Sequence, residues 1–242
     1  MTLPSWALPA VQSPKTIQVW NPIKKKHLLT LSGHNLQIDH IIELENGCIA
    51  SSSKRCFKIW NLKRKKKCIK TIIFEKALID NRMIEIKHGP CAGYLAIYSY
   101  ASRDIQIWNL ELKKCIRTIS SINEINLILV DVVFELEAGN MGYLVCNYSD
   151  DIIRILDPNS GEFIKTLVGH QGRIQYIIEL KMAQYKGFIA SCSYDKTIRI
   201  WNPINGECVK KMFGHTTGVF KLIELPNGTI SSCSNDSIKI WC

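Results

Sequence analysis

The sequence lacks the features by which several large classes of protein are recognised. No apolar run approaches the roughly 18 residues of a membrane-spanning helix, so we expect no transmembrane segment. The first fourteen residues have no basic start followed by an apolar stretch, and no secretory signal is expected. Phosphate-binding motifs of the Gly-x-Gly-x-x-Gly or Gly-Lys-Ser/Thr kind are absent, and the sequence predicts no cofactor and no small-molecule substrate.

Acidic residues are few relative to basic ones. Asp and Glu number 21 against 31 Lys and Arg, which gives a formal net charge of +10. Hydrophobic residues make up 46% of the chain, which is ordinary for a folded domain and too many for a disordered protein. The 242 residues are enough for a sizeable core, and the basic balance favours an acidic partner or an anionic surface.

The ten cysteines lack the Cys-x-x-Cys spacing that binds zinc, so no metal site is predicted. Four of them, Cys48, Cys146, Cys192 and Cys233, lie in short apolar runs, where a free thiol packs as a small hydrophobe. Disulfide bonding is the less favoured interpretation of the even number. The sequence therefore predicts a reduced cytoplasmic protein, with the nucleus as an alternative.

One phrase recurs along the chain. It alternates apolar and polar residues and mostly ends in Trp-Asn, as in Ile105-Gln106-Ile107-Trp108-Asn109. Alternation with a period of two predicts a strand with one buried face. The phrase ends, at intervals of 40 to 48 residues, at Trp20, Trp60, Trp108, Leu156, Trp201 and Trp241. A unit of this length has room for four strands.

Other parts of each unit repeat as well. A polar turn follows the phrase, and a short strand such as Phe163–Leu167 comes next. Three of these strands lead into a Gly-His pair, at Gly33-His34, Gly169-His170 and Gly214-His215. No segment of the repeat shows a sustained 3.6-residue period, so no helix is expected.

This combination resembles the WD-repeat β-propeller family over roughly residues 15–242. Gly-His followed after about 25–30 residues by a Trp-terminated strand, at a near-constant interval, is typical of that family. The resemblance implies an all-β propeller of about six blade-like units, each of four antiparallel strands named a to d from the inside outwards. Two departures stand out, because Asn replaces the Asp that should follow Trp, and the units ending at Trp108 and Leu156 lack Gly-His.

The number of complete blades stays open at this stage. Residues 1–14 form an irregular N-terminal segment or a degenerate strand, and residues 15–242 form the propeller. Five blades with Thr16–Trp20 as a spare strand are one solution. Six blades, with Trp6–Gln12 as a degenerate b strand and one blade incomplete, are another, and a piece of a longer seven-bladed protein is a third. Six blade-like units are favoured, with closure of the ring left open.

One unit contains a Ser, a His and an Asp, which is the composition of a hydrolase triad. In the WD-repeat family the same positions form a buried hydrogen-bond network that ties the d–a loop to strands b and c. The structural interpretation is favoured because a triad needs an exposed nucleophile and an oxyanion hole, and because the set recurs in the next unit. We therefore predict a structural network and no catalytic residue. The network residues are His170, Ser191, Asp195 and Trp201, then His215, Ser232, Asp236 and Trp241. In the unit ending at Trp60, Arg55 stands where the Asp belongs, and the network is expected to be broken.

Lysine-rich runs fall at or near the predicted c–d turns. They define a basic arc of Lys24, Lys25, Lys26, Lys63, Arg64, Lys65, Lys66 and Lys67, with further pairs at Lys113-Lys114 and Lys210-Lys211. One interpretation is a solvated rim, since Lys on an edge strand blocks pairing with other chains. The other is a binding surface for phosphoinositide headgroups, nucleic acid or an acidic peptide. Single-stranded nucleic acid is disfavoured because no aromatic residues are interleaved with these lysines.

The opposite face should carry the d–a and b–c loops, where the resemblance implies peptide binding. Candidate contact residues are Arg55, Arg103, Tyr148, Arg173, Tyr194 and Lys196, because Tyr and Arg commonly anchor interfaces. The sequence thus predicts a non-catalytic scaffold that binds a protein or peptide. The alternatives are a substrate receptor of a ubiquitin ligase, since residues 60–63 weakly resemble the adaptor-binding Trp-Asp-x-Arg motif, anion binding through the basic turns, and a hydrolase that uses Ser191.

Overall fold

The described part of the chain is built from short antiparallel strands. The structure, a computed structural model, describes residues 11–13, 15–62, 67–75, 77–78, 81–99, 104–120, 132–137, 139, 141–147 and 151–241. Among the elements named for these residues, only Ala183–Tyr185 is helical, as a single 3-10 turn. No helix of the described residues is long and apolar enough to cross a membrane.

The strands form six sheets, and each sheet takes its strands in chain order. Sheet 1 has β1 (Val11–Ser13), β2 (Thr16–Asn21) and β3 (Lys26–Ser32). Sheet 2 has β4 (Ile38–Glu43), β5 (Ile49–Ser53), β6 (Cys56–Asn61) and β7 (Lys67–Ile73). Sheet 3 has β8 (Asn81–Glu85), β9 (Leu95–Ser99), β10 (Asp104–Asn109) and β11 (Lys114–Ser120). Sheet 4 has β12 (Val132–Glu135), β13 (Leu144–Asn147), β14 (Ile152–Leu156) and β15 (Phe163–Val168). Sheet 5 has β16 (Ile174–Glu179), β17 (Ile189–Ser193), β18 (Ile198–Trp201) and β19 (Cys208–Met212). Sheet 6 has β20 (Val219–Glu224), β21 (Ile230–Ser234) and β22 (Ile238–Trp241).

The repeated phrase forms the third strand, c, of every four-stranded sheet. Sheets 2 to 5 each have strands a to d, whereas sheet 1 has only b to d and sheet 6 only a to c among the described residues. The expectation of four strands in every unit therefore does not hold for the two outer repeats as described. In four sheets the c–d pairing shifts register just before the Trp or Leu, between residues 19/20, 59/60, 155/156 and 200/201.

The chain divides into two compact units. The first contains the residues up to Glu85 together with Leu95–Ile116, and the second contains Ile86–Tyr94 together with the residues from Arg117 onwards. In the first unit, Ile17 and Val19 of sheet 1 pack against Ile49 and Trp60 of sheet 2. All four are at most 3% exposed, and such burial contributes about 1.5–3 kcal/mol for each large apolar side chain.

The second unit packs its sheets in the same way. Ile198 and Ile200 of β18 pack against Val219, Leu222 and Ile230 of sheet 6. These β-branched and leucine side chains alternate with polar residues, so each strand offers its apolar side chains to one face. The apolar members of the repeated phrase therefore form the core between successive sheets of each unit.

In four of the five a strands, a carboxylate at the end of the strand bonds the turn of the preceding repeat. Glu85 accepts from the backbone N–H of Glu45 at 2.7 Å. In the second unit, Glu224 accepts from the N–H groups of Lys181 and Met182 at 2.6 and 3.0 Å. Glu135 likewise accepts from residues 87 and 88, and Glu179 from residue 137. We call these bonds the glutamate clamps.

Candidate functional site

Four side chains of sheet 5 form a continuous hydrogen-bonded chain. The Trp201 Nε1 donates to the Ser191 Oγ at 2.8 Å, and the Ser191 Oγ lies 2.8 Å from the His170 Nε2. The other ring nitrogen of His170, Nδ1, lies 2.8 Å from the Asp195 carboxylate. Because an ionised carboxylate can only accept, Nδ1–H donates to Asp195, and Nε2 of the neutral ring then accepts the hydroxyl proton of Ser191. Every polar group in this chain is satisfied.

Burial and hydrogen bonding set the protonation states of His170 and Asp195. Burial lowers the pKa of His170, although the hydrogen bond to Asp195 acts in the opposite direction. Burial by itself would raise the pKa of the Asp195 carboxyl, but hydrogen bonds from Thr197, the Gln171 N–H and His170 lower it to about 2. At neutral pH the set is therefore a neutral imidazole beside an ionised carboxylate.

The Ser191, His170 and Asp195 side chains are hydrogen-bonded in the same order as a catalytic triad, but the serine is not accessible to a substrate. Ser191 has no exposed surface, and His170 is 3% exposed. One lone pair of the Ser191 oxygen already accepts the Trp201 N–H at 2.8 Å. A nucleophile needs an open path to a substrate carbonyl and nearby oxyanion donors, so this geometry suits a structural network.

Sheet 6 repeats the network with one additional hydroxyl. The Trp241 Nε1 donates to the Ser232 Oγ at 2.8 Å, and Ser232 lies 2.8 Å from the His215 Nε2. The Ser234 Oγ, 2.7 Å from the His215 Nδ1, stands between this ring and Asp236, whose carboxylate is 3.7 Å from the same nitrogen. The hydrogen bond from Ser234 is the main reason that the pKa of Asp236 lies well below its ordinary value.

Sheet 2 keeps most of the network, although the sequence predicts that it is broken there. The Trp60 Nε1 donates to the Ser51 Oγ at 2.7 Å, and Ser51 lies 2.7 Å from the His34 Nε2. Arg55 leaves no carboxylate for Nδ1, and the Ser53 hydroxyl takes that place at 3.2 Å. Burial, and after it the charge of a neighbouring lysine, lowers the pKa of His34 to about 4.

The remaining sheets lack the serine on which the network depends. In sheets 2, 5 and 6 the serine lies opposite the residue two before Trp. The b-strand residue at this register is Ile97 in sheet 3 and Val11 in sheet 1. Trp108 therefore donates to the side chain of Gln106 at 3.0 Å, whereas the buried Trp20 Nε1 has no hydrogen-bond partner among the described residues.

The glycine of each Gly-His pair is required by the same packing. Gly214 has φ +151°, and a Cβ added to it would lie 3.2 Å from the Trp241 ring. Gly33 has φ +148°, and its Cβ would lie 3.3 Å from the Trp60 ring. A side chain at either residue would meet both a disfavoured backbone conformation and the indole.

The d–a loop and the b–c turn of sheet 5 form a surface together with the half-buried Phe220 of β20 in sheet 6. We call this surface the loop patch, and its residues are Arg173, Tyr194, Lys196 and Phe220. The Tyr194 N–H donates to the Arg173 carbonyl at 3.0 Å, which joins the two loops. The Tyr194 side chain is 50% exposed and meets the Phe220 ring edge-on, with centroids 5.8 Å apart. Three predicted contact residues, Arg173, Tyr194 and Lys196, are thus brought together.

Two of the repeats that contain this network match a known protein family. The family model described as "WD domain, G-beta repeat" matches residues 161–202 and 206–242. These two ranges contain the complete His, Ser, Asp and Trp sets of sheets 5 and 6. Residues 161–202 and 206–242 are therefore two WD repeats.

The fold comparison agrees with the family match. The solved WD40 beta propeller domain of Doa1 superposes with a TM-score of 0.61 at 20% identity, and the match covers 96% of this chain and 73% of that chain. The predicted all-β WD-repeat propeller fold of about six blade-like units is confirmed. No curated protein matches the sequence significantly.

The other predicted contact residues belong to the first unit or lie outside the described residues. Arg55 is exposed in the b–c turn of sheet 2, in the first unit. Arg103 and Tyr148 lie outside the described residues. Sequence reasoning missed Phe220, which supports Tyr194, and the glutamate clamps. A recurring phrase, Ile-Glu-Leu at residues 42–44, 178–180 and 223–225, was the available signal for the clamps.

The basic arc is described only in part. Lys24 and Lys25 lie in the turn after β2, and Lys26 begins β3, all three exposed. Lys63, Arg64, Lys65 and Lys66 lie outside the described residues, and Lys67 begins β7. The pair Lys210-Lys211 lies within β19 and not at a c–d turn, because the turn ends earlier, at Glu207.

No metal site is found in the part of the chain that the structure describes. There, no three His, Cys, Asp or Glu side chains come together in a way that could hold a metal ion. No disulfide bond joins any two of the nine described cysteines, of which Cys48, Cys91, Cys146 and Cys192 are buried. Burial raises the pKa of the Cys192 and Cys91 thiols, which keeps them protonated and unreactive at neutral pH.

Proposed function

We propose that this WD-repeat chain is a non-catalytic scaffold that binds a protein or peptide through the loop patch. WD40 propellers are generally interaction scaffolds, and the choice of surface is our own proposal. The single observation that carries it is the half-exposed Tyr194 ring, which is held edge-on against Phe220 while its backbone is bonded to Arg173.

The patch has the physical properties of a peptide anchor. A tyrosine offers a large apolar ring with a polar hydroxyl, and its two side-chain torsions lose little entropy when it is immobilised. The edge-on contact with Phe220, 5.8 Å between centroids, fixes the ring before any partner arrives. Arg173 and Lys196 flank the ring with positive charge, so the patch suits a partner with acidic residues.

The test compares partner capture by matched variants. Tyr194→Ala removes the ring, and Gly218→Ala moves it, because the added Cβ would lie 2.6 Å from Tyr194 Cδ1. Ile204→Ala, at an 83% exposed residue of the c–d turn of the same sheet, is the control. Proteins captured by wild type and by Ile204→Ala should bind at least tenfold more weakly to Tyr194→Ala, since interface tyrosines often contribute about 2 kcal/mol. Equal capture by all variants would contradict the proposal.

The non-catalytic part of the proposal has its own test. Because Ser191 has no exposed surface and its oxygen accepts the Trp201 N–H, a fluorophosphonate probe should leave it unlabelled. The measurement is peptide mass spectrometry of the native protein after exposure to the probe. Stoichiometric labelling of Ser191 would show a hydrolase instead.

Anion binding through the basic arc is a second candidate, favoured by the exposed run Lys24, Lys25 and Lys26. Replacement of these three lysines by Gln should lower the salt concentration at which the protein elutes from heparin, and folding should not change. Unchanged elution would mean that the basic arc is a solvated rim and not a binding surface. A ubiquitin-ligase role would depend on Lys63, which lies outside the described residues, and gains no support here.

A further inference from the structure

We propose that a pocket beside the loop patch binds the carboxylate of a glutamate side chain on the protein partner. This inference rests on the proposed function and adds the chemistry of the group that is recognised. The pocket has a volume of about 270 Å³ and is lined by residues of sheet 5 and of the loop that follows β19. The lining includes Lys196, Lys211, Phe213 and Asp195.

Two ammonium groups of the pocket have no acidic partner among the described residues. Lys196 lies in the b–c turn and Lys211 in β19, and both are exposed. No carboxylate of the described residues forms an ion pair with either of them. By contrast, Lys181 of the same unit pairs with Glu137 and Glu179 at 2.7 and 2.8 Å. The pocket therefore presents two positive charges that form no ion pair with a described carboxylate.

The one carboxylate in the lining is already occupied. Asp195 accepts from the Thr197 hydroxyl at 2.6 Å, from the Gln171 N–H at 3.0 Å and from His170 at 2.8 Å. His215 also lines the pocket, and burial holds its pKa below the ordinary value, so the ring is neutral at pH 7. Two ammonium groups and one carboxylate leave a net charge of +1, which favours an anionic guest.

Phe213 gives the pocket an apolar wall. Its side chain is 67% exposed, and the Lys211 ammonium lies 4.7 Å from the ring centroid. The ring holds this ammonium by a cation–π contact and leaves apolar surface beside it. A glutamate combines a carboxylate for the two lysines with methylene groups for the ring. Lys196 follows Tyr194 by two residues, so one extended peptide can reach both.

The backbone of Lys196 supplies a clean variant. Its φ is +69°, a left-handed conformation that Gly adopts more readily than Lys. Lys196→Gly therefore removes the ammonium and is expected to leave the fold intact, as is Lys211→Gln at an exposed strand position. Lys186→Gln, at an exposed residue away from the pocket, removes the same charge and is the control.

The test titrates short capped peptides into the ¹⁵N-labelled full chain. A tetraglutamate peptide should shift the amide signals of Lys196, Lys211 and Phe213, and a tetraglutamine peptide should not. Lys196→Gly and Lys211→Gln should each weaken the binding about two- to fivefold, the range expected for one exposed charge pair, while Lys186→Gln should not change it.

Three results would overturn the assignment. They are equal shifts with tetraglutamine, equal affinity in all the variants, or binding of a phosphoserine peptide at these residues without binding of tetraglutamate. Because the peptides need no natural partner, the titration tests the pocket alone. If Tyr194→Ala loses captured proteins and Lys196→Gly retains them fully, the scaffold proposal stands and the pocket proposal fails.

Discussion

The indole N–H of each network tryptophan is a buried donor, and it costs free energy unless it finds an acceptor. In sheets 2, 5 and 6 the Trp N–H donates to a b-strand serine, whose hydroxyl then donates to the histidine of the Gly-His pair. An unbonded buried donor costs about 1–3 kcal/mol, so each serine offsets a penalty of that order. Trp20, where Val11 stands at the register of the serine, shows the same indole without this bond.

Removal of the central imidazole should be destabilising. His170→Ala leaves Ser191 and Asp195 without their shared partner inside the protein, so we expect a loss of about 1–3 kcal/mol in the free energy of unfolding. His27→Ala is the control, because His27 is exposed and bonds only Thr30 among the described residues. Equal urea midpoints for wild type and His170→Ala would contradict the buried network.

Stability should also depend on pH through His34. Its pKa is about 4 in the folded chain against 6.5 in the unfolded chain, so the unfolded state takes up the proton first as the pH falls. The contribution is fully present above pH 6.5 and is lost between pH 6.5 and about 4. His34→Gln should therefore show a smaller fall in urea midpoint over this window than wild type. A variant with the same pH dependence as wild type would rule out this explanation.

At the scale of elements, the glutamate clamps connect the repeats without any contribution from tryptophan. Glu224, Glu179 and Glu85 each end an a strand and accept backbone N–H groups from the turn of the preceding repeat. Glu43 ends β4 in the same way, but sheet 1 has no a–b turn among the described residues. No described residue donates a hydrogen bond to Glu43, so this glutamate is an internal reference.

Two equivalent substitutions test the clamps. Glu224→Ala removes hydrogen bonds to the N–H groups of Lys181 and Met182 and should cost about 1–2 kcal/mol. Glu43→Ala, at the same position of sheet 2, should change the free energy of unfolding by less than about 0.5 kcal/mol. Urea unfolding of both variants measures the difference, and equal losses would show that the bonds do not matter.

The strands can be predicted from the sequence, but the side-chain contacts between distant residues cannot. Alternation such as Ile198-Arg199-Ile200 predicts a strand because side chains of a strand point to opposite faces. The substitute partner Ser53 was not predictable, because its bond to His34 depends on a turn geometry that spacing does not encode. Phe220 was missed for the same reason, since its contact with Tyr194 joins two separate repeats.

At the scale of the whole molecule, the complete networks lie in the second unit, in sheets 5 and 6. Sheet 4 of that unit has Leu156 in place of Trp and Cys146 in place of Ser, and sheet 3 has Ile97 in place of Ser. The repeats matched by the family model are thus the ones that contain the complete His, Ser, Asp and Trp set.

This asymmetry predicts an order of local opening. Amide hydrogens of β10 and β14 should exchange with solvent faster than those of β18, because fewer side-chain bonds hold the first two strands to their neighbours. Hydrogen-exchange mass spectrometry of the native protein measures these rates. Uniform protection across the three strands would mean that the networks add little to the packing.

The central claim, that a partner docks on the loop patch, is tested most directly by site-specific photocrosslinking. A benzophenone amino acid replaces Arg173, beside the Tyr194 anchor, in one protein and Ile204, at the c–d turn of the same sheet, in another. We expect a partner protein in cell extract to be crosslinked through residue 173 and not through residue 204. Crosslinking through residue 204 alone, or equally through both, would contradict docking on the loop patch.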